Sequence, residues 1–236
     1  MKIYGAGSLE DVRICTELGA AGILTNPQGF EQYYKGEMTL EEITRALLEA
    51  SDDGRDIPVY IQVHGKDAEA IIERARELRK ISPRVCAKII ADEKGFRAIR
   101  VLQQEGINCI ATCLFSVSQA AIAAMVGAYG ICPFVSRAKE IGMDMGAIIS
   151  TIKACYAEME NPPEIFAVSL KSVSDIDEAF AAGADSIALR YPLMQKMMTH
   201  VLTEKAELLF GKNWKNVKGE DVSYLEGMMN VTGVAE

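Results

Sequence analysis

The chain has 236 residues, and 49 % of them are apolar, enough to bury a large core without disulfides or metals. Its net charge of −8 argues against a nucleic-acid or anionic-membrane surface, which needs a basic face. No run of roughly 18 apolar residues is present to span a bilayer. The first residues, Met1-Lys2-Ile3-Tyr4-Gly5, lack the apolar region of a signal peptide, so a cytoplasmic protein is expected. Cys15, Cys86, Cys109, Cys113, Cys132 and Cys155 are scattered without a C-x-x-C pair, and they read as reduced core thiols rather than metal ligands.

Short β-like runs alternate with helical runs along the chain. The β-like runs are Lys2–Ala6, Gly22–Asn26, Pro58–Val63, Val85–Ile90, Asn108–Thr112, Gly130–Val135, Glu164–Leu170 and Ser186–Arg190. Most are too apolar to face water on one side, as strands of a helix-covered parallel sheet are. Ser8-Leu9-Glu10-Asp11 and Thr39-Leu40-Glu41-Glu42 open helices with capping boxes. Asp67–Arg79, Phe96–Glu105 and Ser118–Ala128 carry helical periodicity, and Gly19, Gly106 and Gly183 stand where helices end. Strand then helix, repeated about eight times, predicts a (β/α)8 TIM barrel. The competing open, doubly wound sheet has only Gly5-Ala6-Gly7 in its favour, without the third glycine of a dinucleotide turn. Residues 1–236 read as one barrel domain, with 206–236 as a C-terminal helical extension. Phe210 and Trp214 would anchor that extension, at a contact between subunits.

In such a barrel the site lies at the C-terminal ends of the strands. The polar residues late in the runs, or just past them, are Asn26, Gln62, His64, Lys88, Thr112, Arg137, Ser169 and Arg190. Lys88 lies in Val85-Cys86-Ala87-Lys88-Ile89-Ile90, apolar on both sides. Burial lowers a lysine's pKa and makes a neutral amine, the nucleophile that forms imines with carbonyl substrates. The alternative is a lysine that snorkels to the strand end or forms a structural ion pair.

Several motifs occur in order: Thr25-Asn26-Pro27, Ile61-Gln62-Val63, Ala87-Lys88-Ile89, Ala111-Thr112, Pro133-Phe134-Val135-Ser136-Arg137 and Ala167-Val168-Ser169-Leu170-Lys171. With them the chain resembles the small transaldolase and fructose-6-phosphate aldolase family, from the first strand to about residue 205. The resemblance implies that Lys88 forms a Schiff base with a dihydroxyacetone-type donor. It implies that Gln62 and Thr112 hold the catalytic water and that Asn26, with Thr25 beside it, binds donor hydroxyls. Phe134, Arg137, Ser169 and Lys171 would line the acceptor side and bind a phosphate. It further implies a sugar-phosphate substrate, no cofactor or metal, and a homo-oligomer, pentamer or decamer. Arg190 is a cation beyond that pattern, serving either anion binding or a surface ion pair.

Three positions depart from the family. Ala6 replaces the strand-one aspartate that takes a proton during C–C cleavage, and general acid–base help is worth about 10²–10⁴-fold. Ile90 and Asp92 follow the lysine where proline and threonine are usual. Phe134 is the transaldolase choice, whereas Gln62 is the aldolase choice. His64 or Asp92 could replace the missing carboxylate, or His64 could be a surface residue and Asp92 a helix cap. The sequence thus points to an aldolase or transaldolase-like enzyme. A relative with altered chemistry and a non-catalytic sugar-phosphate-binding barrel remain alternatives.

Overall fold

A computed structural model of the protein describes residues 1–223. Eight parallel strands close in sequence order. They are β1 (Lys2–Ala6), β2 (Ile23–Leu24), β3 (Val59–Gln62), β4 (Val85–Ile90), β5 (Cys109–Leu114), β6 (Gly130–Pro133), β7 (Glu164–Ala167) and β8 (Ser186–Arg190). Five helices fall in the first half: α1 (Leu9–Glu17), α2 (Pro27–Tyr34), α3 (Leu40–Ala50), α4 (Ala68–Arg79) and α5 (Glu93–Gln104). The rest are α6 (Val117–Met125), α7 (Val135–Lys139), α8 (Met145–Tyr156), α9 (Val173–Ala181), α10 (Tyr191–Met198) and α11 (Val201–Trp214). This is the (β/α)8 barrel that the alternating pattern predicts.

The barrel's interior follows from the two-residue period of a strand. Tyr4, Leu24, Tyr60, Cys86, Ile110, Cys132 and Phe166 form one buried cluster, a layer contributed by seven strands. Its aromatic members pack edge to face: Tyr4 lies 5.0 Å and Tyr60 6.0 Å from the Phe166 ring. Such pairs add about 0.5–1.5 kcal/mol each beyond their burial. Two residues further along the chain come Ala6, Gln62, Lys88 and Thr112, still on their strands, and Asn26 and Phe134, the caps of the helices that follow β2 and β6. Above Ala188, which packs on that cluster, comes Arg190. An aromatic floor therefore carries a polar layer at the C-terminal mouth.

Local chemistry sets where strands stop. Asn26 caps α2, accepting a hydrogen bond on Oδ1 from Gly29 N at 2.7 Å, with Pro27 at the first helical position. The predicted run through Asn26 therefore shrinks to a two-residue strand. The run expected through Val135 ends at Pro133, because Phe134 starts α7. The run expected through Leu170 ends at Ala167, since Ser169 takes a φ of +59° that an extended strand does not allow. The capping boxes at Ser8/Asp11 and Thr39/Glu42 form as predicted.

The chain divides into two compact units, Met1–Leu193 with the whole barrel and the segment from Met194. In the second unit α11 begins at Val201, and residues 224–236 of the expected extension lie outside the described residues. Phe210 and Trp214, expected as anchors, are exposed. The apolar residues of α11 spread around the helix rather than along one stripe, so no single face buries them all. No helix among the described residues is long and apolar enough to cross a membrane. All six cysteines are free, and four of them are buried.

Candidate active site

Lys88 is 3 % exposed and has no carboxylate partner among the described residues. Its Nζ donates to the Thr25 carbonyl oxygen and to Gln62 Oε1, each at 3.0 Å. A neutral amine has two N–H donors and one lone pair; both donors are used and the lone pair is left. An ammonium in the same place would carry a third N–H with no acceptor, besides a charge that costs several kcal/mol to bury unpaired. Burial accordingly pushes the Lys88 amine below its usual 10.5. The neighbouring Cys132 thiol is pushed up to about 12, mainly by burial, and stays neutral.

The acceptors are themselves held. Thr25 Oγ1 donates to the Tyr60 carbonyl at 2.9 Å and accepts from Gln62 N at 3.0 Å. Gln62 and Lys88 are lateral partners across β3 and β4, which brings their side chains together above the barrel floor. Thr112, on β5, is completely buried, and its hydroxyl makes no hydrogen bond. It faces the Cys132 thiol closely enough to bias it, but without hydrogen-bond geometry. A buried hydroxyl left open in this way is a ready partner for a water or a substrate oxygen.

Beside this cluster a cavity of about 340 Å³ opens at the mouth, within the range of small-molecule sites. Thr25, Asn26, Arg137, Ser169, Lys171 and Arg190 all line it, and so does Ala6. Arg137 stacks over the Phe134 ring, 5.5 Å from its centroid, and Lys171 pairs with Glu140. Lys88, Gln62 and Thr112 are not among its lining residues, and Thr25 links the two groups. His64 is exposed just beyond the end of β3, outside the cavity lining. Asp92 caps α5, accepting from Gly95 N at 2.8 Å, so the capping alternative describes it.

Sequence reasoning missed three contributors. Asp175, in the first turn of α9, accepts from Ser136 Oγ and Lys139 Nζ at 2.8 Å each and from Lys171 N at 3.0 Å. Although burial opposes its charge, Lys139, Ser136 and the Lys171 amide together hold it low. It thereby fastens α7, which carries Arg137, to the turn that carries Ser169 and Lys171. The capping box Ser172-x-x-Asp175 was the available signal. Tyr33 and Tyr34 also line the cavity, from α2. The pair Asn26-Pro27, an N-cap before a first-turn proline, marks that helix in the sequence.

The closed parallel barrel thus sets a buried lysine, without a carboxylate partner among the described residues, beside a cavity lined by cations. Residues 9–230 match the family described as Transaldolase/Fructose-6-phosphate aldolase, and the chain belongs to that family. A protein from Coprothermobacter proteolyticus named "Probable transaldolase" is 31% identical over 212 residues, covering 89% of this chain and 94% of the relative. One of the same name from Thermus thermophilus is 31% identical over 222 residues, covering 92% of this chain and all of the relative. The protein is therefore an enzyme of the aldolase and transaldolase type. Thiamine phosphate pyrophosphorylase from Pyrococcus furiosus superposes with a TM-score of 0.56 at 16% identity, over 80% of this chain and 84% of the other, which reflects the barrel alone.

The lowered value of Lys88 links stability to pH. Below 10.5 the unfolded chain holds a proton that the folded protein disfavours, so stability rises with pH between the lowered value and 10.5. The stability of Lys88→Met minus that of the wild type, from urea melts, is expected to fall as pH rises from neutral to about 10, by about 1.4 kcal/mol per unit of lowering titrated in that window. A difference independent of pH would show that Lys88 is not perturbed.

Proposed function

We propose that the enzyme makes or breaks a C–C bond in a phosphorylated ketose through an imine between Lys88 and a dihydroxyacetone-type donor. The observation that carries this reading is the Lys88 amine, buried, unpaired with any carboxylate, and with both N–H groups given to oxygen acceptors. Its lone pair adds to the ketone carbon, and the carbinolamine loses water to give an iminium. The electrons of the bond between the carbons α and β to that iminium flow into it as the bond breaks, leaving an enamine on Lys88 and an aldehyde from the β carbon. The proton of the hydroxyl that becomes the aldehyde passes to a base. Addition of the enamine to another aldehyde, or its protonation followed by hydrolysis, completes the cycle.

Gln62 and the open Thr112 hydroxyl hold the water that leaves and returns. Asn26 offers its amide N–H groups to donor hydroxyls, its oxygen being engaged in capping α2. Thr25 contributes its carbonyl to the amine. Arg137 and Lys171, with the Ser169 hydroxyl, supply the donors a phosphate needs. The base is the open part of the reaction, because none of Ala6, Asn26, Gln62, Lys88, Thr112 and Phe134 is a carboxylate. His64, past the end of β3, is the proposed acceptor. Ala6 also favours a second reading, in which the same imine serves a different donor.

Incubation with dihydroxyacetone or fructose 6-phosphate, reduction with borohydride and peptide mass spectrometry is expected to place the adduct on Lys88 and nowhere in Lys88→Met. His64→Gln should retain the adduct while turnover falls about 10²-fold or more. No adduct with either ketone sinks the imine, and wild-type turnover in the variant removes His64 from the chemistry. We also propose a homo-oligomer, supported by Leu202, Leu209, Phe210 and Trp214 exposed on α11. Light scattering of the full chain is expected to give a ring-sized mass, and a monomer would contradict it.

A further inference from the structure

Among the described residues one ion pair involves a cation of the mouth cavity, and it lies on one side of it. Lys171 is matched by Glu140, next to Arg137 and Ser169 on the β6–β7 arc. On the β8–β1–β2 arc stands Arg190, and none of the ion pairs among the described residues involves it. Its lateral neighbour on β1 is Ala6, a residue without charge.

Arg190 is instead held by a phenol. Its Nη1 donates to Tyr33 Oη at 2.9 Å, which leaves the other guanidinium N–H groups and the Tyr33 O–H free to donate. Next along α2, Tyr34 is 7 % exposed and lines the same cavity, yet its hydroxyl is buried without a hydrogen-bond partner. Asn26, on the same arc, has its oxygen engaged by Gly29 N and only its N–H groups to spare. The spare capacity of Arg190, Tyr33 and Asn26 is therefore donor capacity, beside an orphan phenol and one uncompensated positive charge. That chemistry fits an oxyanion.

We propose that the cavity holds a second oxyanion subsite, formed by Arg190, Tyr33 and Tyr34 and distinct from the Arg137–Ser169–Lys171 group. The ketose it takes then carries an anionic group, phosphate or carboxylate, at each end. The proposal names the substrate class of the imine-forming site above and so rests on that reading for its chemistry, but the subsite binds whether or not an imine forms. The hydrogen bond to Tyr33 draws Arg190 from the end of β8 towards α2, away from the β6–β7 arc that carries Arg137, Ser169 and Lys171, so the two groups can take different anionic groups of one molecule.

Calorimetry with ligands that lack a ketone tests the subsite independently of Lys88. The probes are glucitol phosphorylated at one end, glucitol phosphorylated at both ends, and a hexonic acid phosphorylated at its far end. The doubly phosphorylated ligand is expected to bind about tenfold or more tightly than the singly phosphorylated one, the worth of one charged hydrogen-bonded contact. The hexonic acid matches the tighter ligand if a carboxylate serves and the weaker one if phosphate alone does. In Arg190→Gln the preference for the doubly anionic ligand collapses towards unity, and in Ala6→Asp it does the same as the new carboxylate pairs with Arg190. Tyr34→Phe shrinks the preference without lowering Tm, since it removes a buried hydroxyl that has no partner. Equal affinities in the wild type, or a preference that survives Arg190→Gln, overturns the subsite. Borohydride trapping that succeeds alongside equal affinities leaves the imine standing and removes the subsite alone; a ligand preference without trapping does the reverse.

Discussion

The site depends on one clasp: Thr25 carbonyl and Gln62 amide oxygen on either side of the Lys88 amine. It solves an electrostatic problem. A strand that must be apolar on both faces to close a barrel leaves no water and no carboxylate for a lysine. The group is least costly there as a neutral amine with both protons hydrogen-bonded. The Thr25 hydroxyl extends the clasp by tying the Tyr60 carbonyl to the Gln62 amide N–H. Three consecutive strands, β2, β3 and β4, thus hold one nitrogen, and the aromatic floor of Tyr4, Tyr60 and Phe166 keeps water from reaching it from below.

Above that floor, charge is divided by function. Asp175 spends no charge on substrate; it braces α7 against the turn after β7, and the cations this places towards the cavity are Arg137 and Lys171. Positive φ at Ser169 and at Cys113, both at strand ends by the mouth, marks where backbone regularity yields to that purpose. On the β1 side the uncharged Ala6 lies beside the cationic Arg190, so this part of the mouth carries positive charge without a carboxylate at either position. In the proposed reaction the imine needs none of these cations, and their part is to select the substrate.

The barrel was legible because its signal is repetitive: eight apolar runs separated by helices whose caps are written in short motifs such as Asp67 before α4. Lys88 was legible as an anomaly, a charged residue inside an apolar run. The polar layer was legible from period-two spacing, one step past each floor residue. Where strands ended was not, because β6 gives way to the cap of α7 at Phe134 and β7 to a positive φ at Ser169, and neither is marked by polarity. Tyr33 and Tyr34 escaped notice because aromatic residues in a short helix look like packing, and only the closed barrel brings them over the mouth. The position of His64 was not legible from alternation with Gln62, because β3 ends at Gln62 and His64 lies past the strand end.

The protonation state of Lys88 decides whether the clasp does what is described. The protein labelled with ¹⁵N at lysine side chains, titrated by NMR and assigned by comparison with Lys88→Met, reports it directly. A Lys88 resonance that titrates well below 10.5, apart from the surface lysines, is the predicted result. A Lys88 resonance that moves with the surface lysines would contradict the account, because an ammonium there has no lone pair to form an imine.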